Sequence, residues 1–287
     1  MNVQGLDYLA LADRLLPSIL AAGRLEVGYF RSGLAVAHKN DASPVTIADQ
    51  EAEAILHAGL AAAAPNIPVI AEEAAAAGHI PAIGDRFFLV DPLDGTKSFI
   101  SGNRDFTVNV ALIENGRPTF GVVYAPATGR MFASLGPDIA IEALVQPDSV
   151  VTSFRDMQAT RITTRRPDLN TLAAIASRTH GTAEAEAFLL RCGVKERRNI
   201  GSSLKFCLVA RGEADLYPRF GSIYEWDTAA GHAILQAAGG CVTLFDGRDL
   251  AYGKSDKQFK NPDFIAWGRR ELVTQMTRGG GDLATLS

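Results

Sequence analysis

Asp91–Pro92–Leu93–Asp94–Gly95–Thr96 sets two carboxylates three positions apart across a proline, followed by a glycine and a hydroxyl. Such a set suits a hard cation such as Mg²⁺, which takes oxygen ligands from carboxylates and backbone carbonyls. The Leu93 carbonyl is then free to act as a third oxygen ligand, and Gly95 allows close backbone approach. Amides after Gly95, if they open a helix, offer an anion site to the phosphate that the cation would bridge. The plainer alternative is a type I turn ahead of a helix cap. Two further segments weigh against it. Val69–Ile70–Ala71–Glu72–Glu73 is a short apolar run ending in paired acids, and Tyr224–Glu225–Trp226–Asp227–Thr228–Ala229–Ala230–Gly231 puts an acid at the start of an apolar-periodic helix. Carboxylates at element ends converge on one crevice in α/β architectures.

The elements that must carry these residues follow from periodicity. Phe87–Val90 reads as a buried strand that Pro92 ends, by fixing φ and removing a donor. A helix is expected from Leu6 to about Phe30, kinked or interrupted at Pro17. A second is expected over about Ile47 to Ala63, with Ala48, Ala52, Ile55 and Leu56 inward and Asp49 in the first turn, where the helix dipole favours an acid. Thr107–Ile113 and Phe120–Tyr124 read as strands joined at Asn115–Gly116, a hairpin signal, and Met131–Leu135 adds another. After a polar stretch near 153–168 the pattern becomes α/β, with a strand near Ala173–Ser177 and helices over about Thr182–Cys192 and Leu204–Arg211. The expected division is 1–158, an α+β part with an antiparallel sheet and most candidate ligands, and 159–287, an α/β part carrying Asp227.

Composition narrows the partners. At 287 residues there is ample length for a buried core. A net charge of −4 and a pI near 5.8 argue against a long nucleic acid, although a small nucleotide needs only a few local cations. No run is long and apolar enough to suggest a membrane span or an export signal. Cys192, Cys207 and Cys241 form no ligand spacing and read as reduced packing residues, in keeping with a cytoplasmic setting. His38, His57 and His79 read as surface or loop residues, Arg165–Arg166 as a solvated basic spot, and His232 as a helix-packing histidine.

Asp91–Thr96, with Glu72–Glu73 upstream and Trp226–Gly231 downstream, resembles the inositol monophosphatase superfamily. Asp105–Phe106–Thr107–Val108–Asn109, Gly201–Ser202–Ser203–Leu204–Lys205–Phe206–Cys207 and Tyr217–Pro218–Arg219–Phe220–Gly221 are similar to its bacterial 3′(2′),5′-bisphosphate nucleotidase branch. The resemblance covers roughly Val36 to Phe264. It implies an α/β layered sandwich of alternating helix and sheet layers, and a Mg²⁺-dependent, Li⁺-sensitive phosphomonoesterase with two or three ions per site. Glu72, Asp91 and the Leu93 carbonyl would hold the first ion, with Asp91, Asp94 and Asp227 around the second. Thr96, paired with Asp49, would help to deprotonate the attacking water, with Glu72 also at the catalytic centre. Glu72, Leu93, Asp94, Gly95, Thr96 and Asp227 would contact the reacting phosphate, while Ser177, His180, Gly201, Lys205 and Arg219 would grip the adenosine and the second phosphate. Lys205 is expected at the remote end of the cleft, away from the ions.

The implied reaction removes the 3′-phosphate of adenosine 3′,5′-bisphosphate, or of its sulfated relative, as in sulfur assimilation. The alternatives are an inositol or sugar monophosphatase with the same ligands, and a metal-dependent nucleotide sensor without turnover. The Asp49–Thr96 pair argues against the sensor. Oligomeric state, monomer or homodimer, stays open, and some relatives associate peripherally with the inner membrane. Two departures from the family pattern stand out: Pro17 in a helix the relatives keep smooth, and Glu225 beside Asp227, where a charge would weaken a second-phosphate site.

Overall fold

Helix α1 spans Tyr8–Ser32 and α2 spans Ile47–Ala63 in the computed structural model, which describes residues 6–32, 36–38, 44–178 and 181–278. Of the two outcomes expected at Pro17, an interruption does not occur: α1 runs on through it as one helix. The proline is exposed, so the carbonyl deprived of its N–H partner lies on the solvent side, while buried Leu15, Leu16, Ile19 and Leu20 hold the helix down on either side. Between the helices, β1 (Val36–His38) pairs with β2 (Pro44–Thr46). The inward face of α2 carries Ala48, Ala52, Leu56 and Leu60, and with them two acids, Asp49 and Glu53.

The first sheet runs in sequence order: β3 (Val69–Ala71), β4 (Arg86–Asp94), β5 (Thr107–Glu114), β6 (Arg117–Ala125), β7 (Arg130–Ser134), β8 (Ala140–Leu144) and β9 (Thr160–Arg161). All neighbours are antiparallel except β3 and β4. The β5–β6 hairpin turns at Asn115 and Gly116, both at positive φ (52° and 72°), the two-residue turn whose twist matches its strands. Short helices α3 (Glu72–Ala76) and α4 (Thr96–Ile100) leave the ends of β3 and β4.

A second sheet has the order β11-β10-β12-β16-β14, built from β10 (Ala173–Ser177), β11 (Glu196–Ile200), β12 (Leu216–Arg219), β14 (Cys241–Leu244) and β16 (Phe264–Trp267). A small pair, β13 (Ile223–Tyr224) with β15 (Lys260–Asn261), stands beside it. The helices of this half are α5 (Ala183–Arg191), α6 (Leu204–Ala210), α7 (Ala229–Ala237) and α8 (Arg270–Arg278).

Strand alternation sorts these residues into layers. Phe88, Val90, Val108 and Val110 turn to α1 and α2. Their neighbours Phe87, Leu89, Ala111 and Ile113 join one core with Phe206 of α6, Ile234 of α7, and Tyr217 and Phe264 of the second sheet. The opposite face of that sheet, with Leu216, Ile265 and Trp267, packs on Phe188 of α5 and Leu272 of α8. The result is a helix–sheet–helix–sheet–helix sandwich, with α6 and α7 as the central layer. Gly121 permits its close packing: a Cβ there would lie 2.5 Å from the Ala230 carbonyl oxygen of α7. The boundary expected after 158 falls just before β9, the last strand of the first sheet, and the two halves share the central core. Among the described residues no helix is long and apolar enough to cross a membrane.

Candidate active site

Two residues three apart on a regular strand point to opposite faces. In β4 a bulge corrects this. The strand continues through Pro92 instead of ending there, but its register with β5 slips: Asp91 pairs with Asn109 and Asp94 with Thr107, leaving Pro92 and Leu93 opposite Val108. The bulge accommodates a residue that cannot donate to the ladder, and it brings Asp91 and Asp94 to the face that carries Thr107 and Asn109. The Leu93 N–H donates to Asp91 Oδ1 at 3.1 Å, closing a turn over the proline. Gly95 then takes φ 97°, and a Cβ there would meet the Asp105 carbonyl oxygen at 2.8 Å, so both conformation and space demand glycine.

Glu72 opens α3 directly after β3. The helix start is held from α2: the Glu53 carboxylate accepts from the N–H groups of Glu73 at 2.7 Å and Ala74 at 2.8 Å. Asp227 precedes the Thr228 N-cap of α7, and its Oδ2 accepts from the Tyr224 N–H at 3.0 Å. Glu72, Asp91 and Asp227 thereby bring one carboxylate oxygen each within 4.8 Å of one another. Asp94 lies beside this triangle, its Oδ2 accepting from Ser203 Oγ at 2.9 Å and lying 3.4 Å from Asn109 Nδ2. Burial, and then the repulsion of Glu72, Asp94 and Asp227, raises the Asp91 pKa well above the carboxylate range. Asp227 is raised too, by burial first and then by Asp94 and Glu72.

Asp49 sits beneath the cleft. Its Oδ2 accepts from Thr46 N at 2.8 Å and Thr46 Oγ at 2.6 Å, a capping box, and its Oδ1 lies 3.2 Å from Thr96 Oγ. One carboxylate therefore caps α2 and holds Thr96. The Leu93 carbonyl is not wholly free, because Thr96 Oγ also lies 3.2 Å from it. A hydroxyl has one proton, so Thr96 donates to Asp49 or to Leu93 and not to both.

A cleft of about 380 Å³ gathers Glu72, Asp91, Leu93, Asp94, Gly95 and Thr96 with Ser177, Gly201, Lys205, Arg219 and Asp227. His180 lies outside the described residues. Lys205 and Arg219 are both buried. Lys205 Nζ donates to the Ser202 carbonyl, and Arg219 Nη2 lies 3.3 Å from that of Ser222. Burial lowers the Lys205 pKa to about 8, opposed by Asp94 and Asp227 and reinforced by Arg219. Lys205 lines the same cleft as the carboxylates and feels the charge of Asp94 and Asp227.

Glu225 is engaged by a neighbouring loop. Its carboxylate faces away from the cleft, accepting from Gly253 N at 2.7 Å and Lys254 N at 3.0 Å and pairing with Lys254 Nζ at 2.7 Å. It is fully buried in that loop and is not among the residues lining the cleft. His232 is a packing residue as expected, with Nδ1 3.0 Å from Tyr252 Oη, and all three cysteines are free.

Sequence reasoning assigned no role to Glu53, Asn109, Ser203 or Asp105. Glu53 had a signal, standing one helical turn beyond Asp49 on the inward face of α2. So did Asn109, a polar residue in an apolar strand. Asp105 was singled out only as part of the Asp105–Asn109 motif, and its contacts had no local signal: its Oδ2 accepts from Gly201 N at 3.0 Å and pairs with Arg178 at 2.8 Å, across 96 and 73 residues of chain.

Residues 16–275 match the inositol monophosphatase family. The chain belongs to that family. This family member is 43% identical over 234 residues to a 3′(2′),5′-bisphosphate nucleotidase CysQ of Shigella flexneri, covering 80% of the chain and 87% of the relative. It is 45% identical over 229 residues to the CysQ of Salmonella typhimurium, with coverage of 79% and 87%. Among solved structures it is similar to CysQ from Bacteroides thetaiotaomicron, with a TM-score of 0.76 and 34% identity over 90% of this chain and 97% of that one. An inositol monophosphatase from Thermotoga maritima shares the fold at a TM-score of 0.70 and 24% identity, covering 93% and 97%.

Proposed function

We propose that the protein is a Mg²⁺-dependent phosphomonoesterase that removes the 3′-phosphate of adenosine 3′,5′-bisphosphate, and of 3′-phosphoadenylyl sulfate, working in the cytoplasm. One observation carries the reading: a cleft with a triangle of carboxylates, buried at Asp91 and half-buried at Glu72 and Asp227, also holds two buried cations, Lys205 and Arg219. Acids suit a metal-bridged reacting phosphate, and cations suit a second phosphate that stays behind. The names of the similar nucleotidases support the same substrate.

The residues fit the metal. Donors are oxygen atoms throughout, as Mg²⁺ prefers, and Asp91 and Asp227, whose pKa values are raised by burial and by neighbouring carboxylates, would be stabilised as anions by a dication. Glu72, Asp91 and the Leu93 carbonyl would hold one ion, Asp91, Asp94 and Asp227 another, and the cleft has acids enough for two or three. Bound Mg²⁺ supplies charge stabilisation to the phosphoryl oxygens and acidifies the attacking water. Asp49, fixed by Thr46, takes the Thr96 proton in a hydrogen bond and leaves the Thr96 oxygen to accept one from that water. Glu72 adds negative charge beside it, and the α4 amides after Gly95 offer donors to the phosphate. Lys205 and Arg219, with Ser177, Gly201 and His180, would orient the nucleotide.

A polyol phosphatase would use the same acids but gain little from two buried cations. The decisive assay incubates the protein with adenosine 3′,5′-bisphosphate after chelation and after Mg²⁺ is restored. AMP and phosphate form with Mg²⁺ alone; formation of adenosine 3′-phosphate, or equal turnover in chelator, defeats the reading.

A further inference from the structure

The turn that opens α6 is strained. Ser202 takes φ 53°, a left-handed conformation that costs a residue with a side chain on the order of 1 kcal/mol or more. The turn delivers Ser203 inward, 2% exposed, with its Oγ 2.9 Å from Asp94 Oδ2 and 2.6 Å from the Asp227 carbonyl oxygen. Asn109, fully buried on β5, donates to the same hydroxyl at 2.9 Å. Asp94 ends β4 and Asp227 leads into α7, so one hydroxyl touches two candidate ligand residues that lie in different halves of the chain.

The hydrogen-bond inventory sharpens this. Ser203 has one proton and two acceptors within reach, while Asn109 occupies a lone pair. When Ser203 donates to Asp227, Asn109 Nδ2 at 3.4 Å remains to face Asp94 Oδ2. In either arrangement Oδ2 of Asp94 is engaged from the protein side, which leaves Oδ1 as the oxygen offered to a cation.

We propose that Ser203, backed by Asn109, is a positioning residue that aims Asp94 and sets its spacing from Asp227, and so sets the affinity of the site for divalent metal. The inference rests on the metal reading above. Partners that orient ligands typically matter by about 10- to 100-fold in metal affinity.

The test reads metal binding without substrate. Mn²⁺ binding to the full chain is followed by electron paramagnetic resonance, with Mg²⁺ competition, for the wild type, Ser203→Ala and Asn109→Ala, and with Asp227→Asn to identify the site. Thermal unfolding in chelator accompanies each variant. Both alanine variants are expected to weaken binding roughly tenfold or more, with less than additive loss in the double variant. A purely structural role would lower the unfolding temperature in chelator and leave the Kd within twofold of wild type, and that result overturns the inference. If Ser203→Ala does not fold, Asn109→Ala, which leaves the strained turn untouched, decides alone. Wild-type protein with no Mn²⁺ binding sensitive to Asp227→Asn would overturn the metal reading and this inference together.

Discussion

Asp91 and Asp94 share one face of β4 because two residues, Pro92 and Leu93, stand opposite the single Val108 of β5. The alternation of a strand would otherwise send one of them to the far side of the sheet.

Asp91→Asn, Asp94→Asn and Asp227→Asn are each expected to lower kcat by on the order of a hundredfold or more, the usual result of removing charge stabilisation from a transition state. Asp227→Asn should also raise the unfolding temperature in chelator at pH 8, because an amide relieves the repulsion that raises Asp91. Steady-state kinetics and thermal melts check both halves; a variant keeping half the wild-type kcat at saturating Mg²⁺ contradicts the assignment.

The same carboxylates predict how metal-free stability depends on pH. Asp91 and Asp227 have folded pKa values raised above those of the unfolded chain, so the folded state holds protons that the unfolded state releases. Their contribution is fully present below about pH 4 and is lost as pH rises through the raised values. In chelator the melting temperature should fall between about pH 5 and 8, and saturating Mg²⁺ should recover much of the loss. Buried Glu26, raised chiefly by burial, adds a loss of the same sign with or without Mg²⁺. Only the difference between the two melting series therefore reports on the site, and identical pH profiles with and without Mg²⁺ would count against it.

Asp49→Asn and Thr96→Ala separate a dual role. Both should reduce kcat by about a hundredfold or more with little change in KM, as loss of general-base assistance does. Asp49→Asn alone also damages the capping box and should cost about 1 kcal/mol of stability. Thr96→Ser, which keeps the hydroxyl, should retain activity; if it is as slow as Thr96→Ala, the hydroxyl is not what matters.

How far the sequence disclosed all this depended on whether the signal was local. The span of α2, the Asn115–Gly116 turn and the carboxylates around Pro92 were legible because periodicity, turn chemistry and spacing are properties of neighbouring residues. The continuation of β4 past Pro92 was not, since register with β5 decides it. Nor was the direction of Glu225, which the amides of Gly253 and Lys254 fix from 28 and 29 residues away. The contacts of Ser203, a residue of the Gly201–Cys207 motif, were hidden for the same reason: its partners Asp94 and Asn109 come from the first sheet, 109 and 94 residues earlier.

Lys205→Ala is expected to lower kcat/KM for adenosine 3′,5′-bisphosphate by about ten- to a hundredfold, the value of a lost charge-assisted hydrogen bond. Hydrolysis of a simple monophosphate, which has no second phosphate to meet Lys205 and Arg219, should suffer much less. Because Lys205 lies within the field of Asp94 and Asp227, equal losses on both substrates would assign it to the carboxylate cluster instead.

The most direct test is the ratio of kcat/KM for adenosine 3′,5′-bisphosphate to that for inositol 1-phosphate, measured on the wild type at saturating Mg²⁺ with 2′,5′-bisphosphate and fructose 1,6-bisphosphate alongside. Buried Lys205 and Arg219, lining the same cleft as Glu72, Asp91 and Asp227, predict a ratio well above one, by at least about tenfold if a single charge-assisted bond to the second phosphate is realised. A ratio below one, with inositol 1-phosphate the better substrate, would contradict the nucleotidase account and leave the polyol phosphatase in its place.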